Sequence, residues 1–202
     1  RLIRDDVASL ERVHDLGSLE LLALRLPELV GSPLSVNALR EDLQVSHKTV
    51  ENWIAILERL YAVFRLAPFG PPQMRAVRQA RKHYQFDWTL VKENPLRFEN
   101  VVAAHLLKWV HYRQDSEGLD LDLRYFRDRD GNEVAFVVLE RRPVLLVEAK
   151  SADDPPDRGL RLLHARYPEA PAWQVSFAGQ RDYQTPDGIR VAPAGKLLSG
   201  LV

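Results

Sequence analysis

A glutamate and a lysine stand two positions apart in the Val-Glu-Ala-Lys segment at 147–150, and their types and spacing suit phosphate chemistry. Residues two apart on a β-strand point to the same face of the sheet, so Glu148 and Lys150 are predicted to share one side. Carboxylate oxygens are ligands that Mg²⁺ prefers. A lysine beside them could orient or deprotonate an attacking water and stabilise a phosphate. Alone, however, Glu-x-Lys is also a common solvated ion pair.

The elements around this pair follow an ordered α/β pattern. A helix is predicted to begin with Asn94 as N-cap and Pro95 at the first helical position. Alternating apolar and polar residues then predict strands, with a hairpin turn at Asp130-Gly131. In chain order we expect strands at 119–125, 133–139 and 143–150, a loop at 151–157, a helix around 160–165, strands at 173–177 and 189–192, and a helix at 196–201.

The N-terminal part has a different pattern. Residues 1–31 are predicted to form a helical lead-in, with Ser18 capping its second helix and Pro27 interrupting it. Two short helices opening at Ser35 and Ser46 and joined by a tight turn are typical of a helix-turn-helix. Predicted strands at 62–67 and 75–86 follow, and a β-hairpin after a helix-turn-helix is a winged helix. We therefore expect an α+β or α/β chain with three parts: 1–31 lead-in, 32–87 winged helix, 88–202 α/β domain.

The order of elements in 88–202, with Glu-Ala-Lys ending the third strand, resembles the core of the PD-(D/E)XK nuclease superfamily. The resemblance implies that Glu99 is the glutamate of the first helix and that Glu148 and Lys150 form the ExK element. The hairpin strand departs from the family pattern in Gly131-Asn132-Glu133-Val134-Ala135-Phe136.

Ala135 stands where this superfamily usually has a metal-binding aspartate. A methyl group cannot coordinate an ion, so we expect Glu99, Glu148 and Lys150 to be the vestige of a catalytic site. Glu133 lies two residues away on the same strand. Only if the site is active would Glu133 and Glu148 hold Mg²⁺.

Nearly the whole chain resembles the C-terminal region of a bacterial and archaeal family of AAA-type ATPases, in which a winged helix and a nuclease-like domain of unknown function follow a P-loop core. The matching stretches are Ile-Arg-Asp-Asp at 3–6, 35–50, Leu-Glu-Arg-Leu at 57–60, 82–87, Arg-Phe-Glu-Asn at 97–100, 130–136, 147–150 and 159–168. The resemblance implies an ATPase domain upstream in the same polypeptide. The chain begins at Arg1 and contains no G-x-x-x-x-G-K-[ST] loop, so we expect this part to bind no ATP and no cofactor of its own.

Composition narrows the function classes. The chain has no cysteine, which excludes disulfides and thiolate chemistry, and Lys plus Arg equals Asp plus Glu at 28 each. No segment is apolar enough to cross a membrane, so we expect a cytoplasmic protein without a membrane partner. The histidines lack the spacing of a zinc site.

Contact with DNA is a further expectation. Residues 35–82 contain eight Lys or Arg and four acidic residues, a net charge of +4. Part of this charge, Lys82 included, is expected on the wing, where it could follow a phosphate backbone. Our candidates for DNA contact are Lys48, Asn52, Arg75 and Arg78. The alternative is that this part packs against a partner protein.

Three functions remain open at this point. The leading hypothesis is an accessory or regulatory region of an AAA-type ATPase that mediates nucleic-acid or protein contacts. The first alternative is an active Mg²⁺-dependent nuclease using Glu99, Glu133, Glu148 and Lys150. The second is a purely structural module for protein interaction.

Overall fold

A computed structural model of the chain describes residues 15–70 and 81–201. Within these residues the fold is mixed α+β, with six α-helices and an eight-stranded sheet. The helices are α1 Leu16–Arg25, α2 Val36–Leu43, α3 His47–Arg59, α4 Asn94–Glu117, α5 Arg158–Arg166 and α6 Ala194–Leu198. The strands are β1 Val63–Phe69, β2 Lys82–Gln85, β3 Asp122–Arg127, β4 Glu133–Glu140, β5 Arg142–Lys150, β6 Ala172–Ser176, β7 Tyr183–Gln184 and β8 Arg190–Pro193.

The two short N-terminal helices begin at the predicted caps. The Ser35 hydroxyl accepts a hydrogen bond from the backbone N–H of Ala38 at 3.2 Å, and the Ser46 hydroxyl accepts one from Thr49 at 3.1 Å. These serines satisfy N–H groups that the first helical turn leaves unpaired. Between the helices, Gln44 adopts a left-handed conformation with φ of 54°, which turns the chain as the sequence predicts.

Two other predicted caps are wrong. Helix α1 is capped by Asp15, whose carboxylate accepts from the N–H of Ser18 at 2.9 Å, so Ser18 lies inside the first turn. Helix α4 begins at Asn94 with Glu93 as its N-cap, one residue earlier than predicted. In α1 the Asp15 carboxylate makes the capping hydrogen bond that was expected of Ser18, whereas in α4 Glu93 makes no side-chain capping bond and Asn94 already belongs to the helix.

All eight strands belong to one sheet with the order β2-β1-β3-β4-β5-β6-β8-β7. Strand β2 runs antiparallel to β1, as a hairpin requires, and β1 pairs in parallel with β3 through Ala67 and Arg124. Of the strand predicted at 75–86, residues 75–80 lie outside the described part, and within 81–86 the strand is Lys82–Gln85. The N-terminal hairpin is therefore continuous with the central sheet.

Two faces of the sheet carry separate apolar layers. Helix α4 and the short α6 cover one face, where Phe98, Leu106 and Leu197 pack against residues of β1 to β5. Helix α5 covers the other face through Leu160 and Leu163. A third cluster joins helices α1 to α3 around Trp53, Ile54 and Leu57. The α4 layer includes residues from both sides of position 88, so this core crosses the expected domain boundary.

Strand β4 carries a bulge beside the candidate site. Arg124 pairs with Val137 whereas Phe126 pairs with Val134, so two residues of β4, Ala135 and Phe136, oppose Tyr125 alone. Both side chains consequently pack into the α4 layer. A bulge of this kind ends regular pairing and redirects the strand.

Within 15–70 and 81–201, no helix combines the length and the apolar composition needed to cross a bilayer.

Candidate functional site

The Glu148 carboxylate lies where strands β4 and β5 separate. Their regular pairing extends to Phe136 and Val147. At the next position, the backbone N–H of Ala135 donates to Oε2 of Glu148 at 2.9 Å. The other oxygen, Oε1, lies 3.1 Å from Nζ of Lys150, which shares its face as the two-residue spacing predicts. Ala135 thus contacts Glu148 through its backbone, at the place where the nuclease pattern has a metal ligand.

Burial dominates the charge state of Glu148. It raises the pKa of Glu148 to about 7, against the opposing effects of Lys150 and the Ala135 N–H. Burial alone would lower the pKa of Lys150, but the carboxylates of Glu148 and Asp157 outweigh it and raise that pKa. Lys150 is therefore a permanent cation, whereas Glu148 changes charge near neutral pH.

Lys150 has a second acidic partner in Asp157, whose Oδ2 accepts from Nζ at 2.9 Å. Asp157 also caps α5 by accepting from the N–H of Gly159 at 2.8 Å. The buried Gln174 of β6 fixes this loop: its Oε1 accepts from the N–H of Asp157 at 2.8 Å, and its Nε2 donates to the carbonyl of Asp154 at 2.7 Å. The lysine is held by a rigid, hydrogen-bonded frame.

A second group of charges lies around Lys82 on β2. Its side chain is only 2% exposed, and its ammonium donates to Oε1 of Glu133 and lies 3.6 Å from Oε1 of Glu99. It also stands 5.5 Å from the centre of the Tyr125 ring. The expectation that Lys82 belongs to a basic wing surface is wrong, because its charge is buried and satisfied by two carboxylates.

Glu99 on α4 is fixed from two further sides. The Tyr84 hydroxyl donates to its Oε1 at 2.8 Å. Burial raises the pKa of Tyr84 well above its ordinary value, and the carboxylates of Glu99, Glu133 and Glu148 add to this effect. The phenol therefore keeps its proton. Gly31, with φ of 75°, lies so close that a Cβ there would meet the Glu99 carboxylate at 3.1 Å.

The four predicted site residues thus divide between two charge clusters. Glu148 and Lys150 pair with each other and with Asp157, whereas Glu99 and Glu133 share Lys82. Across the described ranges, no group of three or more Asp, Glu, His or Cys side chains could hold a metal ion. A buried ammonium already occupies the space between Glu99 and Glu133, so these residues as they stand do not fit Mg²⁺.

The candidates for DNA contact lie apart from these clusters. Lys48 and Asn52 are exposed on α3. Arg75 and Arg78 lie outside the described residues. Arg65, another cation of residues 35–82, forms a bidentate ion pair with Glu58. Its Nε donates to Oε1 at 2.8 Å, and a terminal guanidinium nitrogen donates to Oε2 at 2.5 Å. Since Arg65 and Lys82 are both engaged inside the protein, the basic surface of this span is smaller than its sequence indicates.

Three contributors to the clusters were missed: Lys82, Tyr84 and Asp157. Lys82 and Tyr84 are two apart on one strand, the same spacing as Glu148 and Lys150, but their acidic partners are distant in sequence. Asp157 did carry a local signal, since an aspartate two residues before a glycine-leucine helix start is a frequent N-cap.

Comparison with known protein families gives two matches. Residues 1–94 match a domain of unknown function, DUF8612, and residues 97–197 match another, DUF4143. No curated protein and no solved structure matches the chain. Domains of the second family are commonly C-terminal to AAA ATPases, which is compatible with the resemblance described above. Because this second match covers half of the 202 residues, the chain belongs to the family of the domain of unknown function DUF4143.

Proposed function

We propose that this chain is a non-catalytic accessory region of an AAA-type ATPase, in which a degenerate nuclease-like site serves as internal structure. One observation carries the proposal: the Lys82 ammonium lies buried between Glu99 and Glu133, the carboxylates that a metal-dependent nuclease would need free. A charge buried with its partners costs several kcal/mol to separate. The carboxylates of Glu99 and Glu133 therefore serve to stabilise the folded structure.

The arrangement of elements supports the nuclease-like part of the proposal. Helix α4, the strands β3, β4 and β5, helix α5 and strand β6 follow in the order of the nuclease core. Glu148 and Lys150 lie where β4 and β5 separate, just beyond the last paired residues. Ala135 at this place removes one metal ligand, and Lys82 engages two other carboxylates, Glu99 and Glu133. Catalysis is thus lost at two independent places.

The winged-helix part has its own support. Helices α2 and α3 are joined by a short turn and capped by Ser35 and Ser46, and the hairpin of β1 and β2 follows directly. The family match supports the ATPase parent, since these domains commonly follow such ATPases. In this proposal the ATPase supplies the chemistry and the present chain supplies a contact surface.

The exposed face of α3 is the proposed site of that contact, with Lys48 and Asn52 on it. The test is a fluorescence-anisotropy titration of a labelled DNA duplex with wild type, Lys48→Ala/Asn52→Ala, and Arg75→Ala/Arg78→Ala. Lys196→Ala is the matched control, because Lys196 is an exposed cation on α6, outside the part of the chain predicted to contact DNA. Each variant is titrated at several salt concentrations.

Contact with DNA predicts binding that weakens with salt, and a log–log slope that falls by about 1 for each phosphate-contacting cation removed. The Lys196→Ala slope should equal that of wild type. Binding that none of these variants alters would contradict contact through α3 and the wing. Absence of binding even at low salt would instead assign the contact to a protein partner.

One observation favours the rival function, a Mg²⁺-dependent nuclease: Glu148 and Lys150 remain paired at 3.1 Å, and the lysine side chain is partly exposed. That function would also require Glu99 and Glu133 to leave Lys82. Metal-dependent DNA cleavage lost in Glu148→Ala would favour the rival.

A further inference from the structure

We propose that Lys82 is a built-in cation that takes the place of a divalent ion between Glu99 and Glu133, so that the native site excludes metal and removal of the lysine charge uncovers a site for Mg²⁺ or Mn²⁺. The inference deepens the proposed function and rests on it in treating these carboxylates as structural.

The contacts around Lys82 are those of an ion in a carboxylate site. Its ammonium donates to Glu133 and lies 3.6 Å from Oε1 of Glu99, so one positive charge is shared by two acids from different elements. The same oxygen of Glu99 accepts from Tyr84 at 2.8 Å. Carboxylate oxygens from α4 and β4 thus meet at the Lys82 ammonium, and the Tyr84 hydroxyl from β2 contacts one of them.

The surroundings would let an ion replace the ammonium. The side chains of Glu99 and Glu133 are 21% and 31% exposed, whereas that of Lys82 is 2% exposed. Solvent thus reaches the side chains of both glutamates, although it hardly reaches that of the lysine. In many proteins Mg²⁺ keeps several waters and takes only one or two carboxylates from the protein, often with phosphate oxygens as further ligands, so two acids next to solvent supply the protein's usual share of ligands.

The charge balance explains why the native site would reject metal. The ammonium offsets one of the two carboxylate charges, and Arg127, 3.8 Å from Oε2 of Glu133, supplies a second positive charge, so the four charges balance. A divalent ion entering beside them would meet two positive charges at short range. Without the lysine charge, two carboxylates would face one another with Arg127 as the remaining cation, and a divalent ion would relieve their repulsion.

The test compares thermal unfolding in MnCl₂ or MgCl₂ with unfolding in NaCl of equal ionic strength. Wild type is measured beside Lys82→Met, which keeps the buried stem and removes the charge. Lys82→Met/Glu133→Gln removes one of the two acids as well. Lys196→Met is the control for loss of an exposed lysine charge. Mn²⁺ binding to wild type and to Glu133→Gln is measured separately by calorimetry.

The proposal predicts equal melting temperatures in the two salts for wild type and Lys196→Met. For Lys82→Met it predicts a rise of at least about 3 °C in Mn²⁺, because binding to the folded state alone stabilises it. The rise should disappear in Lys82→Met/Glu133→Gln. A Lys82→Met chain that is unfolded in NaCl and folds in MnCl₂ would give the same support.

Two results would overturn the inference. One is Mn²⁺ binding by wild type that is lost in Glu133→Gln, which decides the matter even if Lys82→Met fails to fold. The other is a Lys82→Met protein whose melting temperature is the same in MnCl₂ and NaCl, or that stays unfolded in MnCl₂. Wild-type Mn²⁺ binding that depends on Glu133 but is not accompanied by DNA cleavage would refute only this inference, whereas metal-dependent cleavage lost in Glu148→Ala would refute the proposed function.

Discussion

Lys82 is the residue whose surroundings differ most from those that its sequence context suggests. It follows a segment rich in arginine, yet its ammonium is buried against Glu99 and Glu133. Glu133 is 51 residues away along the chain, so no local pattern could indicate the pair. Glu148 and Lys150 behave differently. Their spacing on one strand predicts their contact, and the structure places them 3.1 Å apart.

Glu148→Gln should alter how stability depends on pH. Burial raises the pKa of Glu148 from 4.5 to about 7 in the folded protein. Because the folded protein holds this proton more tightly than the unfolded chain does, the protonated Glu148 contributes stability. That contribution is complete below pH 4.5 and is lost as the pH rises through 7. Glutamine has no charge to bury and keeps an oxygen for the Ala135 N–H. The variant should therefore gain stability relative to wild type between pH 4.5 and 8, by at most about 3 kcal/mol.

The measurement is urea unfolding of both proteins at several pH values. The quantity to compare is the difference in free energy of unfolding between the two proteins, because His83 makes stability depend on pH in the opposite sense. Burial lowers the pKa of His83 to about 4, so the stability that the neutral imidazole contributes is lost as the pH falls from 6.5 to 4. His83 is common to both proteins and cancels in the difference. Parallel pH profiles for wild type and Glu148→Gln would show that Glu148 is not buried as described.

At the scale of elements, residue patterns predict most helices and strands but not their pairing. The hydroxyl caps at Ser35 and Ser46 and the strands flanking the Asp130-Gly131 turn follow from local chemistry. The two-residue edge strand β7 is too short to produce a periodic signal. The bulge at Ala135 and Phe136 depends on how β3 and β4 meet. Local sequence carries little information about such contacts.

Gly159→Ala should destabilise the protein because α5 lies directly on β4. A Cβ at this position would meet the backbone oxygen of Glu133 at 2.2 Å, so helix and strand would have to move apart. Overpacking of this kind costs about 1–3 kcal/mol. Gly195 in α6 is the matched control, since a Cβ there meets nothing within 4 Å. Gly195→Ala should be neutral or slightly stabilising.

Chemical denaturation of the two glycine variants checks this prediction. The order of stability should be Gly195→Ala at or above wild type and Gly159→Ala below both. Equal stability of the two variants would mean that α5 does not approach Glu133 so closely, and the position of that carboxylate would then need revision.

At the scale of the whole molecule, the N-terminal hairpin and the C-terminal half share one sheet and one core. The two parts are joined by the parallel pairing of β1 with β3, a junction called the seam below. The Asn100 side chain on α4 also accepts from the backbone N–H of Gln85 at 2.8 Å and donates to its carbonyl at 2.7 Å. Composition and periodicity predict the α/β class. They cannot predict this seam, because parallel pairing joins residues far apart in sequence. The charge cluster around Lys82 depends on the same seam, since Lys82 and Tyr84 reach Glu99 across it.

DNA cleavage is the most direct test of the central claim, that the chain's own lysines and Ala135 leave no catalytic metal site. Wild type and Glu148→Ala are incubated with supercoiled and single-stranded DNA in Mg²⁺, in Mn²⁺ and in excess chelator. We predict that wild type cleaves no faster than Glu148→Ala under any of these conditions. Cleavage by wild type that requires the metal and disappears in Glu148→Ala would contradict the claim.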